Sequence, residues 1–196
     1  MAEHESDPYV KAARAAGYRS RAVYKLEEIQ RTDRIIQPGT TIVDLGAAPG
    51  GWSQYAAKVL KGQGRILASD ILPMDGIVGV EFVQGDFSAD EVFAELLARL
   101  GSDKPRLVMS DMAPNMSGIA EVDHLRGMYL VELSLDFVEK TLAPGGDFLV
   151  KVFQGRDYVP FVNRLRKLFG TVKVRKPKAS RARSAELYLL AREFRM

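Results

Sequence analysis

The sequence predicts an α/β fold built on one mostly parallel sheet with helices on both faces. Three observations predict it. Short, almost continuously apolar β-rich runs recur along the chain, as strands buried on both faces require. Helix-prone segments separate most of these runs, which is how parallel strands are connected. Charged residues gather at the C-terminal ends of the runs, where open sheets of this kind bind their ligands.

A basic, helix-prone arm over about 8–34 comes first and stops at QPGT, 37–40. The run over 40–46 is the first strand, followed by a helix from about Trp52 to Leu60. RILASD (65–70) is the second strand and VEFVQGD (80–86) the third. A helix over about Ala89–Leu100 places Leu96, Leu97 and Leu100 on one face. RLVMSDM (106–112) is the fourth strand, and a long helix covers about Asp123–Leu142 before the break APGG. DFLVKVF (147–153) is the fifth strand, and a further helix spans 158–169. TVKVRKP and AELYLLARE close the chain as two strands without a helix between them, which suits an antiparallel pair at one edge. No repeat or linker interrupts the pattern, so 1–196 reads as one domain: an arm over 1–34 and a core over 35–196.

Hydrophobic residues make up 46% of the 196, enough for a full core. There is no cysteine, which removes disulfides, thiolate metal sites and cysteine nucleophiles. No run is long and apolar enough for a membrane span or a signal segment, so a soluble, cytoplasmic protein is expected. The net charge is only +3, but it is unevenly distributed. Lys11, Arg14, Arg19, Arg21 and Lys25 sit near the N-terminus, with Arg31 and Arg34 close behind. From Arg164 to Arg183 nine lysines and arginines follow one another without an acidic residue. Such tracts suit a polyanion's phosphates, although two solvated faces would carry the same charges.

DLGAAPGGWS follows the first strand and opens a helix. Gly46, Gly51 and Ser53 have the spacing of a phosphate loop, but Trp52 stands where its lysine belongs. Ala48 occupies the second glycine of a dinucleotide fingerprint, which weighs against a nicotinamide-dependent oxidoreductase. A pyrophosphate would also face aspartates at four strand ends: Asp44, Asp70, Asp86 and Asp111. S-adenosylmethionine (AdoMet) suits that field better. Its sulfonium is cationic, its ribose hydroxyls want the carboxylate of Asp70, and its adenine amine can donate to Asp86 beside Phe87. Its carboxylate needs the backbone N–H groups of a glycine loop at a helix start. Each aspartate alone is commonly a turn or cap residue; four in register are harder to explain that way.

Lys151 interrupts the apolar fifth strand. A lone buried ammonium is costly unless it is paired or opens into a cleft. On an edge strand it would guard against aggregation with its head in water; on a central strand it should reach the cleft with Asp111. Glu186 starts the last strand and Lys25 lies late in the arm, so two lysines and two acids can meet. A cationic neighbour lowers a lysine's pKa and lets it accept a proton, while carboxylates act the other way. Both a base and an orienting ammonium therefore stay open. Methyl transfer to a ribose 2′-hydroxyl benefits from such a group, because a neutral hydroxyl is a poor nucleophile. Pyrimidine C5 methylation generally needs a cysteine, and DMAPN does not match the Asn/Asp-Pro-Pro-aromatic motif of adenine amino methylation.

DLGAAPGGWSQY, SDMAPNMSG, LVKVFQG and RKPKASRARSAELY together closely resemble the FtsJ/RrmJ family of ribose 2′-O-methyltransferases, over about Tyr18–Arg192. The resemblance implies a class I AdoMet-dependent, Rossmann-like methyltransferase fold, with seven strands of which the last is antiparallel. It implies a catalytic Lys25, Asp111, Lys151 and Glu186. It places AdoMet on Gly50, Trp52, Asp70, Asp86 and Asp111, to which the loop reading adds Asp44, Gly46, Pro49, Gly51 and Phe87. No metal is implied. The bacterial branch implies a monomer acting on a uridine of the A-loop in 23S ribosomal RNA of the large subunit. A tRNA- or mRNA-modifying relative, or a ribosome assembly factor with little turnover, would carry the same basic tracts. Those tracts would hold phosphates, and Tyr18 or Tyr24 either stacks on a base or packs the arm.

Overall fold

The computed structural model describes residues 7–115, 117–180 and 184–195. In chain order the elements are α1 (Pro8–Ala15), α2 (Val23–Asp33), β1 (Thr40–Leu45), α3 (Gly51–Leu60), β2 (Gly64–Asp70), β3 (Val80–Gln84) and α4 (Asp90–Leu100). They continue with β4 (Leu107–Ser110), α5 (Ala120–Thr141), β5 (Asp147–Phe153), α6 (Tyr158–Leu168), β6 (Phe169–Arg175) and β7 (Glu186–Phe194). The strands form a single seven-stranded sheet in the order β3-β2-β1-β4-β5-β7-β6. β3, β2, β1, β4 and β5 pair in parallel, and β7 runs antiparallel to both neighbours. β7 is therefore inserted between β5 and β6, and Lys151 lies on an interior strand.

The period-two alternation of the strands sorts the core into two layers. Val43, Leu45, Val108, Phe148, Val150, Val152 and Leu189 face α4, α5 and α6. Ile42, Met109, Leu149, Tyr188 and Leu190 face α2 and α3. Counting on by twos along each strand places Asp44, Asp111, Lys151 and Glu186 on the α2–α3 side. The polar cleft is thus an extension of one core layer beyond the ends of its strands.

The arm is two helices, not one. Gly17 at φ 73° ends α1 in the left-handed region, and the Tyr18 N–H bonds back to Ala13 O. The link then lies on α3: Gln54 Nε2 donates to Gly17 O at 2.9 Å, and Trp52 Nε1 donates to Ala22 O at 2.8 Å. α5 begins at Ala120 rather than near Asp123, because the Asp123 carboxylate reaches back to Ser117 N at 2.6 Å and Gly118 N at 3.1 Å. β6 starts two residues early, since Phe169 is buried against Phe194. No helix among the described residues is long and apolar enough to cross a membrane.

Lys25, Ile29 and Asp33 follow at intervals of four on the buried face of α2. Each charge has a dedicated partner. Asp33, with its side chain only 2% exposed, accepts two bonds from Arg175 on β6, at 2.6 and 2.7 Å. Burial pushes the Asp33 carboxyl up, but Arg175, with Lys173 and Arg192, outweighs it and holds the group below its ordinary range. A depressed pKa gives stability that is present above the ordinary carboxylate range and fades as pH falls through it. Arg175→Met leaves the buried charge only the half-exposed Lys173, 3.8 Å away, and should cost about 3 kcal/mol at neutral pH, read as a lower urea midpoint. The deficit should shrink below about pH 4, and Asp33→Leu added to Arg175→Met should recover most of it. An Arg175→Met midpoint equal to that of the parent protein would remove the pair from the structural account.

Candidate active site

The glycine loop turns sharply between β1 and α3. Gly46 has φ 77°, and a Cβ there would sit 2.5 Å from Met112 Cγ, so the loop can pass the end of β4 only with glycine. Gly50, at φ 110°, starts α3 without a side-chain cap. The N–H groups of Gly51 and Trp52 open that helix and have no intrahelical acceptor. Asp70, at the end of β2, steadies the loop: it accepts from Ala48 N and from Leu72 N, each at 2.8 Å. Pro49 is exposed, and its carbonyl accepts from Arg19 at 3.3 Å. Arg19 also reaches Asp75 O at 2.6 Å and Gly76 O at 2.9 Å. One guanidinium thereby ties the arm, the glycine loop and the segment after β2 together.

Asp44 is fully buried on β1. Its Oδ2 accepts from Ser53 Oγ at 2.6 Å, while its Oδ1 has no partner among the described residues. Burial first, then the charges of Asp111 and Asp70, push its pKa up to about 7 against the pull of Ser53. Asp86, beyond β3, is exposed and accepts from Ser88 N and Oγ at 2.9 and 2.7 Å, which lowers its pKa. Phe87 packs into the core with Phe137 and Phe93, ring centroids at 5.8 and 6.1 Å. The Trp52 indole is buried against Tyr188 on the other layer, centroids at 5.7 Å.

Lys151 lies at the C-terminal end of β5, 7% exposed. Its Nζ donates to Asp111 O at 2.6 Å and lies 3.1 Å from Asp111 Oδ1. Directly across the β5–β7 ladder stands Tyr188, whose hydroxyl donates to Asp111 Oδ1 at 2.7 Å. Lys25 Nζ, from the first turn of α2, donates to the Tyr188 oxygen at 3.1 Å and pairs with Glu186 Oε1 at 2.7 Å. Glu186, Lys25, Tyr188, Asp111 and Lys151 therefore form one continuous polar row. Burial would raise the Glu186 carboxyl, but Lys25, helped by Ser180 and Lys151, holds it below its usual range. Burial and the neighbouring Asp111 and Glu186 push the Tyr188 phenol well up, so it remains a neutral donor. Tyr188 was not singled out by the sequence; the only hint was an aromatic at Glu186 + 2, on the same face of its strand.

Much of the basic sequence is engaged internally. Arg164 bonds Glu132, Asp136 and Glu139, Arg175 holds Asp33, and Lys176 donates to Ser184 O and Glu186 O. Arg21 meets Asp7 and Ala179 O. These residues build the fold before they can hold phosphate. Lys11, Arg14, Arg31, Arg166, Lys167 and Lys178 are exposed, and Arg181 and Arg183 lie outside the described residues.

The FtsJ-like methyltransferase family model matches residues 18–194. Ribosomal RNA large subunit methyltransferases E of Pseudomonas paraeruginosa and Pseudomonas aeruginosa are each 56% identical over 195 residues, spanning 100% of this chain and 94% of theirs. Among solved structures, a ribosomal RNA methyltransferase of Plasmodium falciparum superposes with a TM-score of 0.81 at 31% identity, covering 90% of this chain and 98% of its own. The MycE methyltransferase of the mycinamycin pathway, at 13% identity and a TM-score of 0.56, shares the fold alone, over 89% of this chain and 47% of its own. By family match and by full-length relatives, this chain is a member of the FtsJ-like methyltransferase family.

Proposed function

We propose that the protein transfers a methyl group from AdoMet to a ribose 2′-hydroxyl of ribosomal RNA, at a uridine of the A-loop in 23S RNA of the large subunit. The single observation behind the choice of hydroxyl chemistry is the buried row that ends in Lys151, an amine held at the mouth of the sheet by two acceptors of one aspartate. The names of the full-length relatives support ribosomal RNA as the substrate class.

The cleft suits a cationic donor. Asp44 is a buried carboxyl with an oxygen left unbonded, and its neighbours are further carboxylates; positive charge is what such a group lacks. Gly46, Pro49, Gly50 and Gly51, with the N–H groups that open α3, would hold a carboxylate. Asp70 would take ribose hydroxyls and Asp86 the adenine amine, with Phe87 backing Asp86 from the core. When bound, the sulfonium supplies an electrophilic methyl group. Lys151 Nζ, kept in place by Asp111, orients the attacking 2′-hydroxyl; it takes the hydroxyl proton only as the neutral amine, after releasing one of its own protons to solvent. Tyr188 and Lys25 fix Asp111 from the other side, and Glu186 balances Lys25. Holding the oxygen in line is the larger part of the contribution.

Purified protein incubated with unmethylated large subunits and [methyl-³H]AdoMet should label one uridine ribose. Lys151→Ala should lower the rate by about a hundredfold or more while AdoMet affinity stays within a few-fold. Label on a base, or a fully active Lys151→Ala, would contradict the reading.

The Asp44 carboxyl gives a pH dependence of cofactor binding. Its pKa near 7 means that it is mostly protonated below that pH. A cation favours the ionised form, so binding expels a proton, and affinity rises with pH up to about 7. Between pH 5.5 and 6.5 the AdoMet Kd should fall by close to tenfold, with about one proton released in calorimetry. Asp44→Asn should flatten the dependence over that range. A Kd independent of pH in the parent protein would show that Asp44 does not sense the cofactor's charge.

A further inference from the structure

A groove of about 510 Å³ opens between the arm helices, α3 and the segment that joins β6 to β7. Three helices each contribute a tyrosine to it: Tyr9 from α1, Tyr24 from α2 and Tyr55 from α3. Exposed Arg31 and Lys178 stand on its rim, and exposed Glu27 adds a carboxylate. The Tyr9 and Tyr24 rings lie 5.7 Å apart, tilted by 49°, and Tyr18 meets Tyr24 edge-on at 6.4 Å. The wall containing Lys178 is fixed in place. Its N–H donates to Glu28 Oε2 at 2.9 Å, and Arg21 holds the carbonyl of the next residue, Ala179.

Two chain segments pass from this groove straight into the polar row. Tyr24 lines the groove and Lys25, the next residue, pairs with Glu186. Lys178 and Ala179 line the groove, and Lys176, on the same segment, donates to Glu186 O. Consecutive Cα atoms are about 3.8 Å apart, so the groove and the row share two walls. A strand that entered both would run from the tyrosines past Lys25 and Glu186 toward Lys151.

We propose that this groove receives the unstacked base of a nucleotide flanking the one that is methylated. The inference rests on the RNA reading above. Aromatic faces hold a base without regard to sequence, whereas cations at the rim meet its phosphate. Glu27 can accept from the amino or imino groups that a base presents. A second protein would bury a larger and more apolar area than a groove of this size offers. The groove ties the arm's function to the site: it orients the strand so that one ribose meets the lysine.

The test uses the full chain and a short single-stranded oligoribonucleotide carrying 2-aminopurine, whose fluorescence is quenched by stacking. Tyr9→Leu and Tyr55→Leu retain apolar bulk but lose the ring. Each should weaken binding by about tenfold and remove the quench, Tyr→Phe at the same positions should restore both, and AdoMet affinity should not change. The slope of log affinity against log salt should stay the same in the Leu variants and drop by about one in Lys178→Ala. On large subunits, the Leu variants should raise KM with kcat retained. Absence of binding or quench in the parent protein would overturn the proposal, as would Leu variants with parental affinity or a loss that Phe fails to rescue. Quenching without any methyl transfer by the parent protein would leave the groove standing and remove the proposed activity. Methyl transfer at parental KM by the Leu variants would do the reverse.

Discussion

The cluster is organised by the requirement that Lys151, buried on an interior strand, be paired. An ammonium in that position is tolerated only where acceptors surround it, and Asp111 provides two. Asp111 is then itself a charge in a poorly solvated place, and Tyr188 satisfies it with a phenol that burial keeps neutral. Lys25 bonds the same phenol and needs a counter-charge, which Glu186 supplies. Two cations and two anions balance, and no member can be removed without stranding another. Asp44 stands apart from this balance. Its buried oxygen has no hydrogen-bond partner among the described residues, and its charged neighbours are carboxylates.

The topology exists to make that balance possible. In an all-parallel sheet the strand beside β5 would bring its C-terminal end to the cleft. Because β7 is reversed and lies between β5 and β6, its N-terminal end arrives there instead, carrying Glu186 and Tyr188 directly opposite the end of β5. The arm completes the site from outside the sheet. α2 is held at its two ends by charge pairs, Lys25 with Glu186 and Asp33 with Arg175. Between them Leu26 and Ile29 sit in the core. That fixes Lys25 as firmly as if it stood on a strand, while Tyr24, one residue earlier, lines the groove.

The strands and the charged residues at their ends were legible in the sequence, because burial on both faces leaves continuous apolar runs in which Asp44, Asp111 and Lys151 stand out. Glu186 and Lys25 emerged from the family resemblance as much as from position. Tyr188 was hidden, since a tyrosine in an apolar strand looks like any core aromatic until its hydroxyl is placed. The arginines misled for the opposite reason. Arg175 and Asp33 are separated by 142 positions, so counting charge along the chain cannot see that they neutralise each other. Arg164 is likewise taken by acids of α5, and Arg19 by three backbone carbonyls. Trp52 and Phe87 sit in motifs that suggest ligand contact, yet their side chains fill the two core layers. Local motifs located the cleft; long-range pairing decided which side chains were left to face it.

A crystal structure with a non-reactive amine analogue of AdoMet would test the central claim most directly. The account predicts the Lys151 nitrogen still on Asp111, the pair of Lys25 and Glu186 intact, and the analogue's ammonium near Lys151, on the Asp44 side of the cleft. A Lys151 side chain swung out of contact with Asp111, with the analogue bound elsewhere on the sheet, would contradict it.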